Sequence, residues 1–173
     1  MLVGEQVSLL KFTNKFIIPE YISWLNDFEV NKYLCTGRFP VSKDDIIMQD
    51  NKRDFMFAIM DKEDFKYIGT ISLHGVDWIS RKGEVGYMIG DKKYWGKGIA
   101  SDAVGLVIDY GFRRLNLNKI IAGVVDGNKG SVKVLEKNGF NRYAINPQEY
   151  WLNGEYLDNH MFVKFQIDHL RGQ

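Results

Sequence analysis

Between Asp91 and Val104 the chain reads DKKYWGKGIASDAV, two aromatic residues set against Gly96-Lys97-Gly98 and followed at once by an apolar-periodic run. Glycine removes the side chain where a ligand has to reach the backbone itself. The first amides of a helix have no intrahelical partner and carry the positive end of its dipole. A glycine pair just ahead of a helix start is therefore chemistry for an anion, and a phosphate or diphosphate is the ligand it implies. A second helix opens at Asn128-Lys129-Gly130-Ser131. By residue type alone, Asn128 is its N-cap and Ser131 a first-turn hydroxyl that bonds to backbone.

Two nucleotide motifs compete for the glycine stretch. Gly96 to Ser101 approaches G-x-G-x-x-G, and Asp126 closes the next strand where a ribose-binding acid would stand. Against a dinucleotide site, Ser101 replaces the third glycine, and one further strand-helix step precedes the closing hairpin. A nicotinamide-dinucleotide enzyme stays the alternative on this evidence. No G-x-x-x-x-G-K-[ST] occurs in the sequence, so a P-loop has no support.

The elements that must position these residues follow from periodicity. Val7 to Phe12 reads as a first strand, and Pro19 suits the first turn of a helix that restarts near Asp27. Ser42 with Asp45 three residues on resembles a helix N-cap. FMFAIMD, KYIGTISLHGVDW and GEVGYMIGD are three successive strands, rich in β-branched and aromatic residues. From Gly98 the apolar period lengthens, with Ile99, Ala103, Leu106, Val107, Tyr110 and Leu115 marking about four to five helical turns. KIIAGVVD is a strand buried on both faces, and NKGSVKVLEKNGF a helix ending at Gly139. Asn153-Gly154 turns a C-terminal hairpin between RYAINPQEYWL and EYLDNHMFVKF. All three prolines, Pro19, Pro40 and Pro147, are expected at element boundaries. The result is an α+β sheet with one central parallel crossover.

Bulk properties exclude several classes. The 173 residues show no repeat or linker and read as a single domain over 1–173, long enough to bury a substantial core. Lys+Arg 23 against Asp+Glu 22 gives a net charge of +1, so no global field recruits nucleic acid or an anionic membrane. The single Cys35 excludes an internal disulfide framework. The three histidines lack metal-ligand spacing, so no metal is expected. Charges at Glu5 and Lys11 interrupt the first apolar residues, and no later run suits a membrane span. A cytoplasmic protein, monomer or homodimer, is expected.

Taken together, GEVGYMIGDKKYWGKGIASDAV and NKIIAGVVDGNKGSVKVLEKNGF resemble the acetyl-CoA-binding core of the GNAT acetyltransferase superfamily. Within it, the chain is most similar to the ribosomal-protein N-terminal acetyltransferase branch. The resemblance runs over essentially the whole chain. It implies a mixed, mostly antiparallel sheet of about seven strands, a β-α-β cofactor core and helices on both faces.

The family's loop, [Q/R]-x-x-G-x-[G/A], is matched by Trp95-Gly96-Lys97-Gly98-Ile99-Ala100, with Trp95 departing from Gln or Arg. The resemblance implies acetyl-CoA as co-substrate, its diphosphate on the amides from Gly96 to Ser101. Met88, Ile89 and Gly90 would offer backbone groups to the pantetheine arm. Asn128 would orient that arm or Ser131, and of the candidate phosphate cations Lys97, Lys133 and Lys137, the spacing favours Lys97 and Lys137. Glu84, eleven residues ahead of Trp95, holds the position of a catalytic glutamate, and an amine with a pKa near ~10.4 does need a base. The Met88 N–H is the implied oxyanion donor. A tyrosine commonly protonates the leaving thiolate, but Leu135 stands there, which leaves Ser131 as the substitute.

The acceptor pool implied by the resemblance is Trp24, Tyr33, Arg38, His74, Tyr150 and Asp158, with Trp78, Tyr156 and His160 behind them. The reaction implied is direct acetyl transfer to a primary amine in a ternary complex. A protein N-terminus, a polyamine, an antibiotic or a nucleotide-linked amino sugar would all serve as acceptor. No acidic run favours a polycation, and Arg38 with the hairpin aromatics fits the sugar nucleotide slightly better than a peptide. A non-catalytic acyl-CoA-binding module on the same fold is the other reading.

Overall fold

The computed structural model of the protein describes residues 1–34, 39–50 and 55–171. Eight strands form one sheet in the order β1-β2-β3-β4-β5-β6-β8-β7. These are β1 (Leu2–Val3), β2 (Val7–Lys11), β3 (Phe55–Asp61), β4 (Tyr67–Asp77), β5 (Lys82–Ile89), β6 (Lys119–Val125), β7 (Asn141–Leu152) and β8 (Glu155–Phe165). Every neighbouring pair is antiparallel except β5 with β6. The expected count of seven is corrected by β1, two residues paired across a short turn to Leu9 and Ser8. A strand of that length carries no alternation to detect.

The helices are α1 (Pro19–Asn26), α2 (Phe28–Asn31), α3 (Lys43–Asp50), α4 (Ile99–Asp109), α5 (Lys129–Lys137) and α6 (Gln166–Arg171). Pro19 stands at the first position of α1, and the Asp27 side chain caps α2 through the Glu29 N–H. Ser42 and Asp45 form a reciprocal capping box: the Ser42 N–H donates to the Asp45 carboxylate at 2.9 Å, and the Asp45 N–H donates to Ser42 Oγ at 3.3 Å. The helix begun at Ile99 is shorter than its apolar period implies. It passes at Tyr110 into a π-turn over Tyr110–Arg114, closed by the Leu115 N–H on the Tyr110 carbonyl at 3.2 Å. Pro147 falls inside β7 rather than at a boundary. It sits where the register with β8 slips between Asn146 and Tyr150, on an outer strand that tolerates the missing donor.

Two apolar layers fill the two faces of the sheet. Ile99, Ala103, Val104, Val107 and Ile108 of α4 pack with Leu135 of α5 against Leu73, Val85, Ile120 and Val124. On the other face Tyr21 and Leu25 of α1 pack against Met56, Ala58, Met60 and Met88. Successive residues of β5 therefore alternate between the layers, Val85 to α4 and Met88 to α1. Where β5 and β6 run parallel they pair only over Lys82–Lys119, Gly83–Ile120 and Glu84–Ile121. Beyond Glu84 the two strands part, and the sheet is split at its centre.

Candidate active site

The split opens into a cleft of about 590 Å3. Its floor is Tyr87, Met88 and Ile89 of β5. One wall is the loop and first turn of α4 (Trp95, Gly96, Gly98 to Ser101), and the other is the turn and first turns of α5 (Gly127 to Ser131). The start of α4 lies beside the end of α5, and the start of α5 lines the cleft further along. The first intrahelical bond of α4 runs from the Asp102 N–H to the Gly98 carbonyl at 3.0 Å, so the amides of Ile99, Ala100 and Ser101 precede the helical ladder. Gly96 and Gly98 take φ of +74° and +84° to make this turn, a backbone that an L side chain disfavours. In α5, Asn128 Oδ1 accepts from the Ser131 N–H at 3.2 Å. Ser101 and Asn138 tie the two helices together, Nδ2 of Asn138 donating to Ser101 Oγ at 3.0 Å.

The loop is held from several sides. The Asp102 carboxylate accepts from the amides of Gln6 and Val7 at 2.7 and 3.0 Å, docking the start of α4 on β2. The Lys66 ammonium lies 2.6 Å from Asp91 and holds its carboxyl below the ordinary range. Lys92 reaches Asp27 at 2.8 Å and also pairs with Glu29, which brings α2 over the cleft mouth. Nε1 of Trp95 donates to the Ile89 carbonyl at 2.8 Å.

Most of the expected cofactor residues meet here: Met88, Ile89, Trp95, Gly96, Gly98, Ile99, Ala100, Ser101, Asn128 and Lys137 all line the cleft, as does Ser131, expected as the leaving-group acid. Lys97 does not line the cleft; its Nζ lies 5.7 Å from the ring centroid of Tyr94, which does. Leu135 is fully buried in the core, without access to a ligand. Gly90 has a packing reason instead of a ligand: a Cβ there would lie 2.0 Å from Cδ2 of Trp24. The two residues, expected at opposite ends of the site, are each other's neighbours.

The Met88 amide differs from its implied role. The Gly90 N–H bonds to the Ile68 carbonyl at 2.9 Å, and with Thr70 opposite Met88 the ladder makes that a hydrogen-bonded pair. A Cβ on Gly69 would meet the Met88 carbonyl oxygen at 2.2 Å, which confirms that this peptide faces β4. The peptide groups of Tyr87 and Ile89 are the ones that face the gap.

Glu84 does not line the cleft. It is half-buried on the opposite face, paired with His74 on one side and Ile121 on the other, at the last rung before the strands part. Ser72 Oγ lies 3.1 Å from His74 Nδ1 on that same face. Tyr33 reaches the cleft from beyond α2, and its hydroxyl lies 3.2 Å from where a Cβ on Gly127 would be. Trp24 is enclosed by Tyr21, Tyr67 and Gly90. Asp158 accepts the Gln148 N–H at 2.9 Å, which fixes the irregular stretch of β7, and Tyr150 stands opposite Leu157 in the same hairpin. His160 lies between Arg142 and Asp126, and Trp78 meets Phe55 edge-on. Arg38 and Cys35 lie outside the described residues.

Residue types alone missed two features. Tyr87 lines the cleft, and its hydroxyl donates to the Ser131 carbonyl at 3.4 Å; burial pushes its pKa up to about 12, so it is protonated at neutral pH. Lys129 joins Lys133 and Lys137 along the cleft. Their spacing of four residues puts them on one stripe of α5, a signal present in the sequence.

A family model described as an acetyltransferase (GNAT) domain matches residues 9–141. The chain belongs to the GNAT acetyltransferase family. It is 37% identical over 120 residues to the Bacillus subtilis (strain 168) protein named "Probable N-acetyltransferase YjcK", covering 69% of this chain and 66% of that one. The ribosomal N-acetyltransferase-like YdaF of the same organism is 38% identical over 90 residues, 52% of this chain and 49% of its own. The chain thus spans about two thirds or less of these relatives' lengths. A crystal structure of spermidine N-acetyltransferase from Vibrio cholerae, in complex with CoA and spermine, superposes with a TM-score of 0.83 at 25% identity, covering 95% of this chain and 98% of that one. The GNAT split sheet seen in this chain is therefore the family's fold. Among the described residues no helix is long and apolar enough to cross a membrane, and no cluster of three His, Cys, Asp or Glu side chains could hold a metal ion.

Proposed function

We propose that this protein transfers the acetyl group of acetyl-CoA to a primary amine in one step within a ternary complex. The observation that carries the reading is the two-sided split. A cleft with helix amides and lysines lies on the α4/α5 face, and a carboxylate, Glu84, stands on the opposite face at the apex of the same gap. Two substrates held from opposite faces meet at one point without crossing each other's path.

When bound, acetyl-CoA supplies an activated thioester. In this reading the amides of Ile99, Ala100 and Ser101 hold its diphosphate, and Lys129, Lys133 and Lys137 add positive charge along α5. The peptide groups of Tyr87 meet the amide-bearing arm, and the Ile89 N–H takes the oxyanion role that the resemblance gave to Met88. Glu84 removes the proton of the incoming amine, directly or through water. Ser131 and the protonated Tyr87 hydroxyl stand on the thiol side of the gap.

The test offers spermidine, an alanine- or serine-starting peptide and a UDP-linked amino sugar at equal concentration with acetyl-CoA, read by acceptor mass shift and thiol release. Acetylation of any of them above background hydrolysis is the expected result, and the preferred acceptor identifies the substrate class. CoA binding with no thiol release across a broad amine panel replaces this reading with a non-catalytic acyl-CoA module. A larger thermal shift with NAD than with acetyl-CoA replaces it with a dinucleotide enzyme.

A further inference from the structure

We infer that Trp95 is a positioning residue for the glycine loop: its indole N–H clamps the loop to the end of β5 and commits the Ile89 carbonyl that the cleft would otherwise offer a ligand. The inference rests on the acetyl-CoA reading above.

The geometry is local. Ile89 is the last residue of β5, and the ladder turns its peptide away from β4 and into the gap. The chain then leaves the sheet and returns as α4 at Ile99. Trp95 reaches back six residues across that excursion, and Nε1 donates to the Ile89 carbonyl at 2.8 Å. Both residues line the cleft, and Trp95 is 44% exposed. Its bond is thus on the ligand's side of the loop, next to Gly96.

The ties of the loop's first half are ionic and more distant from the glycines. Asp91 with Lys66, and Lys92 with Asp27 and Glu29, hold its first half through charge pairs in which every side chain but the mostly buried Asp91 is well exposed. Pairs of that kind are screened by salt and contribute little. An indole N–H is a neutral donor and cannot accept, so it fixes one direction regardless of ionic strength. Gly96 and Gly98, both at positive φ, have no side-chain packing of their own to fix the turn. Ser101 bonded to Asn138, and Asp102 to the Gln6 and Val7 amides, tie the far side of the cradle to α5 and β2. The Trp95 bond is the tie that joins the loop to the floor of the cleft, so it sets the distance of the Ile99 and Ala100 amides from that floor.

Two opposite effects follow from removing that N–H while keeping an aromatic ring. The amide cradle loosens, so a ligand that uses the diphosphate site binds less well. The Ile89 carbonyl is released, so a ligand that uses only the strand edge loses nothing or gains. Trp95→Phe should therefore weaken CoA by roughly three- to tenfold, the value of one such bond. Its affinity for pantetheine, which lacks the diphosphate, should stay equal or rise. Binding is measured by calorimetry for CoA and by NMR titration for pantetheine, on full-length protein with an unchanged circular dichroism spectrum.

CoA affinity equal to wild type in Trp95→Phe overturns the positioning role, as does an equal loss for both probes, which would mark general damage. Wild-type protein that takes up neither CoA nor pantetheine overturns the acetyl-CoA reading itself.

Discussion

Replacing Gly98 by alanine separates backbone strain from ligand geometry, because the structure prices the two differently. Gly98 holds φ at +84°, and an L residue there costs about 1–2 kcal/mol. Its Cβ would meet only Nε2 of Gln6, at 3.1 Å, the far end of an exposed side chain that can move aside. The loss in stability should therefore be strain alone, a fall in Tm of about 2–8 °C for a chain of this length. Gly96 makes a matched comparison, with φ at +74° and no atom within 4 Å of its added Cβ. Gly96→Ala should cost a similar amount for the same reason. The two differ in what lies next along the chain. Gly98 is the N-cap whose peptide aims the Ile99 amide, so relaxation of its φ turns that amide out of the cradle. At a CoA concentration of 100 Kd the ligand adds about 2.7 kcal/mol of stability, and a tenfold weaker site removes about half of it. Thermal denaturation with and without CoA reads both quantities. The expected result is a lowered Tm in both variants and a reduced CoA increment chiefly in Gly98→Ala. A full wild-type increment in Gly98→Ala would refute the claim that this turn exists to present amides to a phosphate.

Two further outcomes test the opposite face. Glu84→Gln should lower turnover by about 10²- to 10⁴-fold near neutral pH while CoA binding is kept, since Glu84 faces away from the cleft. That deficit should shrink as pH approaches the amine's own pKa near ~10.4, where a base is no longer needed; full activity in the variant returns Glu84 to a sheet residue beside His74. Gly90→Ala should cost about 1–3 kcal/mol by overpacking, because Trp24 is held by Tyr21 and Tyr67 and cannot give way. Its folded fraction should bind CoA normally, and an unchanged Tm with lost CoA binding would restore Gly90 to the cofactor site.

The central strands and helices were legible because each carries an apolar pattern that its buried faces enforce. FMFAIMD is a continuous apolar run because β3 is covered by a layer on each face, and the helix in NKGSVKVLEKNGF ends at a glycine because the chain must leave it left-handed, at φ +75° for Gly139. What failed lacks such a signal. Strand β1 has two residues, α6 has six, and the π-turn at Tyr110 keeps the apolar spacing of a helix while changing its hydrogen bonds. Pro147 reads as a boundary, but an outer strand with a register slip accommodates it.

The candidate site divides along a similar line, between chemistry done by backbone and chemistry done by side chains. The amides before Ser101 are predictable because glycines and a helix start are adjacent in the chain, and adjacency there is also adjacency in space. The opposite wall is assembled by the parallel crossover, so Lys129 and Lys133 come to face the Tyr87 floor only once β6 lies beside β5. Alternation along β5 then decides the rest. Tyr87 and Ile89 share the parity of Val85 and turn their side chains toward the cofactor face, while Glu84 has the parity of Met88 and faces α1. One strand thus serves both substrates by period two. A one-residue slip of β5 against β4 would exchange the roles of Glu84 and Val85, placing a carboxylate in the core and leaving an amine without a base. The register Leu73–Val85 and His74–Glu84 is therefore as much a requirement for the proposed reaction as the glutamate itself. The core residues Leu73, Val85 and Ile120 that fix it hold the proposed chemistry in place without touching either substrate.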